Sequence, residues 1–115
     1  MELEEGLTTQ TQYWYIATNM RAILRYSHKV RIQDRYLMEL LIHEVPRTRA
    51  QPLGLKYRLI CIDLTTGAKV LMDNHHPKGP HVHIDDRELP YEFAGEEKLV
   101  SDFKEIVLDK MGISL

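Results

Sequence analysis

The alternation of hydrophobic and polar residues over residues 22–45 predicts two β-strands. From Ala22 to Val30, apolar or ring-bearing side chains occupy every second position, and mostly polar side chains lie between them. The same period returns from Tyr36 to Val45. A period of two residues is that of a strand with one face in the core. Gln33-Asp34 separates the two runs and predicts a turn, so the pair should form an antiparallel hairpin.

Further strands are predicted in the second half of the chain. Leu55–Leu64 is nearly apolar after its first residues, which is typical of a central strand. Thr65-Thr66-Gly67 supplies a short connection, and Ala68–Asp73 should return as the partner strand. Prolines and a glycine then exclude helix from the following loop. His81–Ile84 alternates once more and predicts a short edge strand with both its histidines on one face, their rings pointing into solvent.

The last predicted element is an amphipathic helix. Gly95 can cap its start, Glu96 and Glu97 favour its first turn, and Gly112 ends it. Its apolar stripe is Leu99, Phe103, Ile106, Val107 and Met111. Strands followed by one helix predict an α+β fold, in which a twisted antiparallel sheet of about four to five strands packs one face against the C-terminal helix.

Composition indicates one globular domain, because the 115 residues are 43% hydrophobic and 28% charged. We expect a domain over residues 21–112 and an N-terminal extension over residues 1–20, whose Tyr13-Trp14-Tyr15 could contact a second copy or another partner. The net charge of −2 gives no overall attraction for nucleic acid. The chain lacks an apolar stretch of about 18 residues, begins with acidic residues and has one cysteine, Cys61. These features predict a cytoplasmic protein with no membrane contact.

The segment Asp73–Asp86 carries the chemistry of this sequence. It holds four of the six histidines, together with a lysine, two prolines, a glycine and several carboxylates. Imidazole is the side chain that most readily gives and takes a proton near neutral pH, and it is also a frequent metal ligand. The segment therefore predicts an acid–base site, a metal site or an anion-binding loop.

Motifs along residues 22–110 resemble those of the TumE family, the toxin component of bacterial and archaeal toxin–antitoxin systems. The matching residues, in order, are Lys56-Tyr57-Arg58-Leu59, Asp73-Asn74, Lys78-Gly79, His81-x-His83-Ile84, Pro90-Tyr91-x-Phe93, Glu97-Lys98-Leu99 and Asp102-Phe103. This resemblance implies a toxin role and a cognate helix-turn-helix antitoxin encoded beside it. It says less about the reaction than about the biological role.

One hypothesis for the site is metal-independent cleavage of RNA. Such a reaction needs a base for the ribose 2′-hydroxyl, an acid for the leaving oxygen and cations for the phosphoryl charge. His81 and His83 would be the acid–base pair, and Lys78 and Arg58 would stabilise the charge. Tyr91 could stack on a base or donate a proton. This mechanism, which makes the chain a ribonuclease-like toxin, requires no cofactor.

Three other interpretations stay open. A metal-dependent nuclease would bind a divalent ion such as Zn²⁺, with ligands drawn from His76, His81, His83 and Asp73. A non-enzymatic protein would use the His-rich loop to engage an antitoxin or RNA. The third interpretation is structural, since histidines in a Pro/Gly loop often only satisfy backbone groups. We favour it for His75 and His76 alone.

Overall fold

The computed structural model describes residues 22–115. The predicted extension over residues 1–20, with its Tyr13-Trp14-Tyr15 contact, lies outside them. The described part contains six strands and one helix: β1 (Ile23–Ile32), β2 (Tyr36–Glu44), β3 (Leu55–Asp63), β4 (Lys69–Asp73), β5 (His81–Ile84), β6 (Arg87–Pro90) and α1 (Glu96–Met111). All strand pairs are antiparallel, and the fold is α+β, as predicted.

The six strands form one sheet in which each strand pairs with the next along the chain, in the order β1 to β6. The β3 strand therefore lies near the middle of the sheet, which confirms its prediction as a central strand. At the β1–β2 turn, the Arg35 N–H donates to the Ile32 carbonyl at 3.0 Å. Gln33 and Asp34 between them have φ values of 55° and 51°. Two positive φ values give the turn that matches the natural twist of a hairpin.

The prediction of four to five strands was too low, because β6 was not expected. Its four residues, Arg87–Pro90, are all exposed and end in proline, so no hydrophobic period marks them. As a result, β5 is not an edge strand. It lies between β4 and β6, and its backbone is paired on both sides.

The hydrophobic core lies between one sheet face and the helix. Leu40, Leu59 and Met72 on neighbouring strands are almost fully buried, and so are Leu99, Phe103 and Val107 on the helix. The helix begins after Gly95 and ends at Gly112, whose φ of 71° is the left-handed conformation that glycine adopts without cost. Within residues 22–115 the structure has no helix with the length and apolar character needed to cross a bilayer.

Candidate functional site

The sheet register places both histidines of β5 on the face turned away from the helix. Asp73 on β4 is paired with His81, and Glu88 on β6 is paired with His83. Paired residues of neighbouring antiparallel strands project from the same face. Val82, between the two histidines, points the other way into the core. The prediction that His81 and His83 share one face is therefore confirmed.

Asn74 fixes the start of the loop that carries the remaining histidines. Its side-chain amide donates to the Leu55 carbonyl at 2.7 Å, and its side-chain oxygen accepts from the Tyr57 N–H at 3.0 Å. Asn74 is buried, and through these two bonds its side chain continues the contact between β3 and β4 beyond Asp73. The carboxylate of Asp73 is thereby held on a rigid part of the sheet.

The ring of His81 is held at both nitrogens. Its Nε2 lies 2.8 Å from Oδ1 of Asp73, and its Nδ1 lies 2.6 Å from the Gly79 carbonyl. Both oxygens can only accept, so the two hydrogen bonds form together when the ring carries both hydrogens. Only 7% of the side chain is exposed. The expectation that both rings point into solvent is wrong for His81, because the short loop from Gly79 folds back over it.

His83 is the more accessible of the two histidines, with 27% of its side chain exposed. Its ring meets that of His81 edge to face, with the ring centres 4.6 Å apart. Its Nδ1 lies 3.7 Å from Oε1 of Glu88. A proton or ligand from solvent can therefore reach His83 without displacing a short hydrogen bond at that nitrogen.

The structure brings Lys78 to the site through Glu88. The Lys78 ammonium donates to Glu88 Oε1 at 2.9 Å, and the same oxygen faces His83. The hydrogen bond from Lys78 is the main cause that lowers the pKa of Glu88. Glu88 is thus a carboxylate shared by a lysine and a histidine. Glu88 was not predicted because β6 was not, although a hairpin register across residues 84–87 would have placed it opposite His83.

Arg58 lies next to the site but its side chain is turned toward β2. Its backbone is paired with Asp73, which is paired in turn with His81, so the three residues form one row across the sheet. The guanidinium lies 3.5 Å from Oε1 of Glu39 and is half exposed. Both predicted cations, Arg58 and Lys78, are therefore each paired with a carboxylate.

The structure separates Tyr91 from the two histidines. Its hydroxyl donates to Oδ2 of Asp102 on the helix at 2.7 Å, and its ring packs against the core on the helix side of the sheet. Burial raises the pKa of Tyr91, with a further contribution from the Asp102 carboxylate. A stacking or proton-donating role beside His81 is not supported by this position, and Tyr91 instead fastens the helix to the sheet.

Three potential metal-ligating side chains converge in this face. Single donor atoms of Asp73, His81 and His83 all lie within 4.8 Å of one another. His76 is exposed and is not in this group, although the sequence analysis included it. His75 lies with Nδ1 3.2 Å from the Lys56 ammonium, while burial lowers the pKa of that lysine. The sequence pointed to these three side chains, but the contacts with the Gly79 carbonyl and with Lys56 carry no sequence signal.

Comparison of the chain with models of known protein families, with curated proteins and with solved structures gives no match.

Proposed function

We propose that this protein is the toxin component of a toxin–antitoxin module that acts on RNA in the cytoplasm. Two things support the proposal. The first is the TumE-like series of motifs along residues 22–110. The second, which carries most of the argument, is the contact between the His81 and His83 rings beside Asp73 on the helix-free sheet face. The partner expected from the resemblance is a helix-turn-helix antitoxin.

The contacts of the two histidines favour different roles in cleavage of a phosphodiester. His83 is partly exposed and is the better group to take the proton from a ribose 2′-hydroxyl. The freed oxygen then attacks phosphorus, the bond to the 5′-oxygen breaks, and that oxygen receives a proton. His81 carries a hydrogen on Nε2 when it binds Asp73, and it would supply this proton after exchanging Asp73 for substrate.

The two cations would act on the phosphoryl oxygens. Lys78 lies on the His83 side of the site, bound to Glu88, and Arg58 lies on the Asp73 side, near Glu39. The Lys78 side chain is 61% exposed and that of Arg58 is 50% exposed, so an incoming phosphate can share each cation with its carboxylate. Stabilisation of the charge that builds on phosphorus-bound oxygens is a large part of such catalysis.

The test is substitution of His83 by glutamine, with His76→Gln as the matched control in the same segment. We expect His83→Gln to lower RNA cleavage by about 10²–10⁴-fold and to relieve growth inhibition, because the base is lost. His76→Gln should leave both unchanged. Equal thermal stability of the variants shows that the fold is intact. Full toxicity in His83→Gln would contradict the catalytic role.

A second candidate function is binding without chemistry, and the paired state of both cations favours it. A face whose lysine and arginine already bind carboxylates suits a protein partner with mixed charges better than bare RNA. In that case the His83→Gln variant would keep its growth inhibition and would still co-purify with the product of the adjacent gene. A homodimer is a further possibility. Size-exclusion chromatography with light scattering would show whether the free protein forms one.

A further inference from the structure

Asp73, His81 and His83 combine the donor set and the support that a metal site needs. Two imidazoles and one carboxylate are a common ligand set for zinc and related divalent ions. Asp73 and His81 project from paired positions of β4 and β5, and His83 follows two residues along β5 on the same face. All three therefore stand on regular strands, β4 and β5, whose backbones are paired on both sides.

Contacts behind the three side chains would orient them toward an ion. The Nδ1 of His81 donates to the Gly79 carbonyl at 2.6 Å, so Nε2 is the nitrogen left to coordinate. The Asp73 Oδ1 accepts from the His75 N–H at 3.3 Å, and Glu88 faces Nδ1 of His83. A backbone carbonyl or carboxylate behind each histidine ligand is the usual arrangement around protein-bound metals.

We propose that these three residues bind one Zn²⁺ ion. Ligands at about 2.0–2.1 Å from a tetrahedral zinc are roughly 3.3 Å from one another, so the donor atoms, now within 4.8 Å, must draw together slightly. The Asp73 and His81 donor atoms, which are 2.8 Å apart, would instead separate slightly as zinc replaces the hydrogen between them. The partly exposed side of His83 leaves a fourth position that faces solvent.

This inference goes beyond the proposed function, because metal binding does not require that the protein cleave RNA. It also constrains that function. A bound zinc ion would occupy the nitrogen lone pairs of His81 and His83, which then could not act as an acid–base pair. Zinc-loaded protein should therefore lose the metal-independent cleavage described above, and a chelator should restore it.

The test uses full-length protein without a polyhistidine tag. Isothermal titration with zinc chloride should give about one equivalent bound, and titration with Co²⁺ should give the visible absorption typical of tetrahedral cobalt. Asp73→Asn and His83→Gln should each weaken zinc binding at least tenfold. The control His76→Gln should bind as tightly as the natural chain. Circular dichroism would verify that each variant is folded.

The outcomes separate this proposal from the proposed function. Loss of zinc binding in Asp73→Asn and His83→Gln, with His76→Gln unchanged, supports the site even when no RNA is cleaved. Absence of stoichiometric binding, or equal affinity in His83→Gln, overturns it, whatever the RNA assay shows. If zinc binds and stimulates cleavage, the metal site stands and the metal-independent assignment of His83 fails.

Discussion

At the scale of single residues, the histidines of this chain differ chiefly in how much solvent reaches their rings. His43 and His81 are buried, His83 is partly buried, and His28 is exposed on the edge strand β1. His43 on β2 and His81 on β5 project from the same sheet face, the one turned away from the helix. Burial alone therefore does not distinguish a site histidine from a structural one; His81 is marked by its two hydrogen-bond acceptors, the Asp73 carboxylate and the Gly79 carbonyl.

Burial lowers the pKa of His43 below its ordinary value of 6.5. The unfolded chain regains the ordinary pKa, so below that pH it binds more protons than the folded chain, and stability should fall as pH falls. We expect His43→Gln to reduce the slope of unfolding free energy between about pH 7 and pH 5, by at most about 1.4 kcal/mol per pH unit. Urea unfolding at several pH values measures this slope.

The exposed His28 provides the control for that experiment. His28→Gln replaces a histidine that is exposed on β1, and so controls for the loss of a histidine as such. A slope that stays the same in His43→Gln would mean that the acid sensitivity of the fold has another source.

At the scale of elements, an ion pair joins the β1–β2 turn to the end of β3. Nε of Arg35 donates to Oδ1 of Asp63 at 3.0 Å and Nη2 donates to Oδ2 at 2.8 Å. Asp63 also accepts from the N–H groups of Thr65 and Thr66 in the following turn. One carboxylate thus holds two hairpin turns together, and the bidentate arginine contact fixes their relative position.

The hydrogen bonds from Arg35 are the main cause that holds the pKa of Asp63 well below its ordinary value of 3.8. A lowered carboxylate pKa gives stability that is present above the unfolded value and is lost as pH falls through it and below. We therefore expect Arg35→Gln to be less stable than the natural chain at neutral pH, and this difference to shrink in acid. Thermal unfolding over a pH series, with Arg31→Gln on the same hairpin as control, measures it. A difference independent of pH would contradict the ion-pair explanation.

The helix is fastened to the end of the sheet by Tyr91 and Asp102. Tyr91→Phe removes the hydroxyl that donates to Asp102, while Lys98 still pairs with that carboxylate at 2.6 Å. We expect a loss of about 0.5–1.5 kcal/mol in unfolding free energy and no change in RNA cleavage or growth inhibition. Chemical denaturation beside a growth assay tests both parts. Loss of activity with an intact fold would mean that Tyr91 contributes to the reaction and not only to stability.

Most elements were predictable because their periods are strong, and the exceptions have physical causes. β2 and the stripe from Leu99 to Met111 bury apolar side chains, so the sequence records them. β1 was predicted from the same period, but the expected buried face is wrong for it, because none of its residues is fully buried. The β6 strand buries none of its residues and is held by backbone pairing with β5, which leaves no side-chain signal.

Only part of the candidate site was predictable from the sequence. The shared face of His81 and His83 follows from the strand period alone. The burial of His81 depends on the Gly79 carbonyl and on Asp73, a tertiary arrangement that local pattern does not encode. Tyr91 was misplaced for the same reason, since its neighbour Asp102 is brought to it by the packing of the helix.

At the scale of the whole molecule, the two sheet faces have different tasks. One face is sealed by α1 and supplies stability, and the other carries Asp73, His81 and His83 on strands that this core holds in place. Changes on the helix side should therefore act on the site through global unfolding.

Phe103 and Leu108 of the helix test this division. Phe103 is fully buried against the sheet, whereas Leu108 is 51% exposed. We expect Phe103→Ala to cost about 3–5 kcal/mol, a large part of the stability of an ordinary domain, and Leu108→Ala to cost far less. Urea unfolding provides the comparison. Similar losses in the two variants would mean that the helix does not seal the core as described.

The strictly consecutive pairing of the strands has a consequence for biosynthesis. Each hairpin can close soon after its second strand leaves the ribosome, since no pairing waits for a distant segment. The apolar side of the sheet nevertheless stays exposed to water until Glu96–Met111 has been translated, because Leu99, Phe103 and Val107 of that segment pack into the same core. A premature stop codon just before residue 96 would thus release a chain that still has all three proposed zinc ligands. The apolar face of its sheet would be exposed, and we expect such a chain to be degraded by proteases.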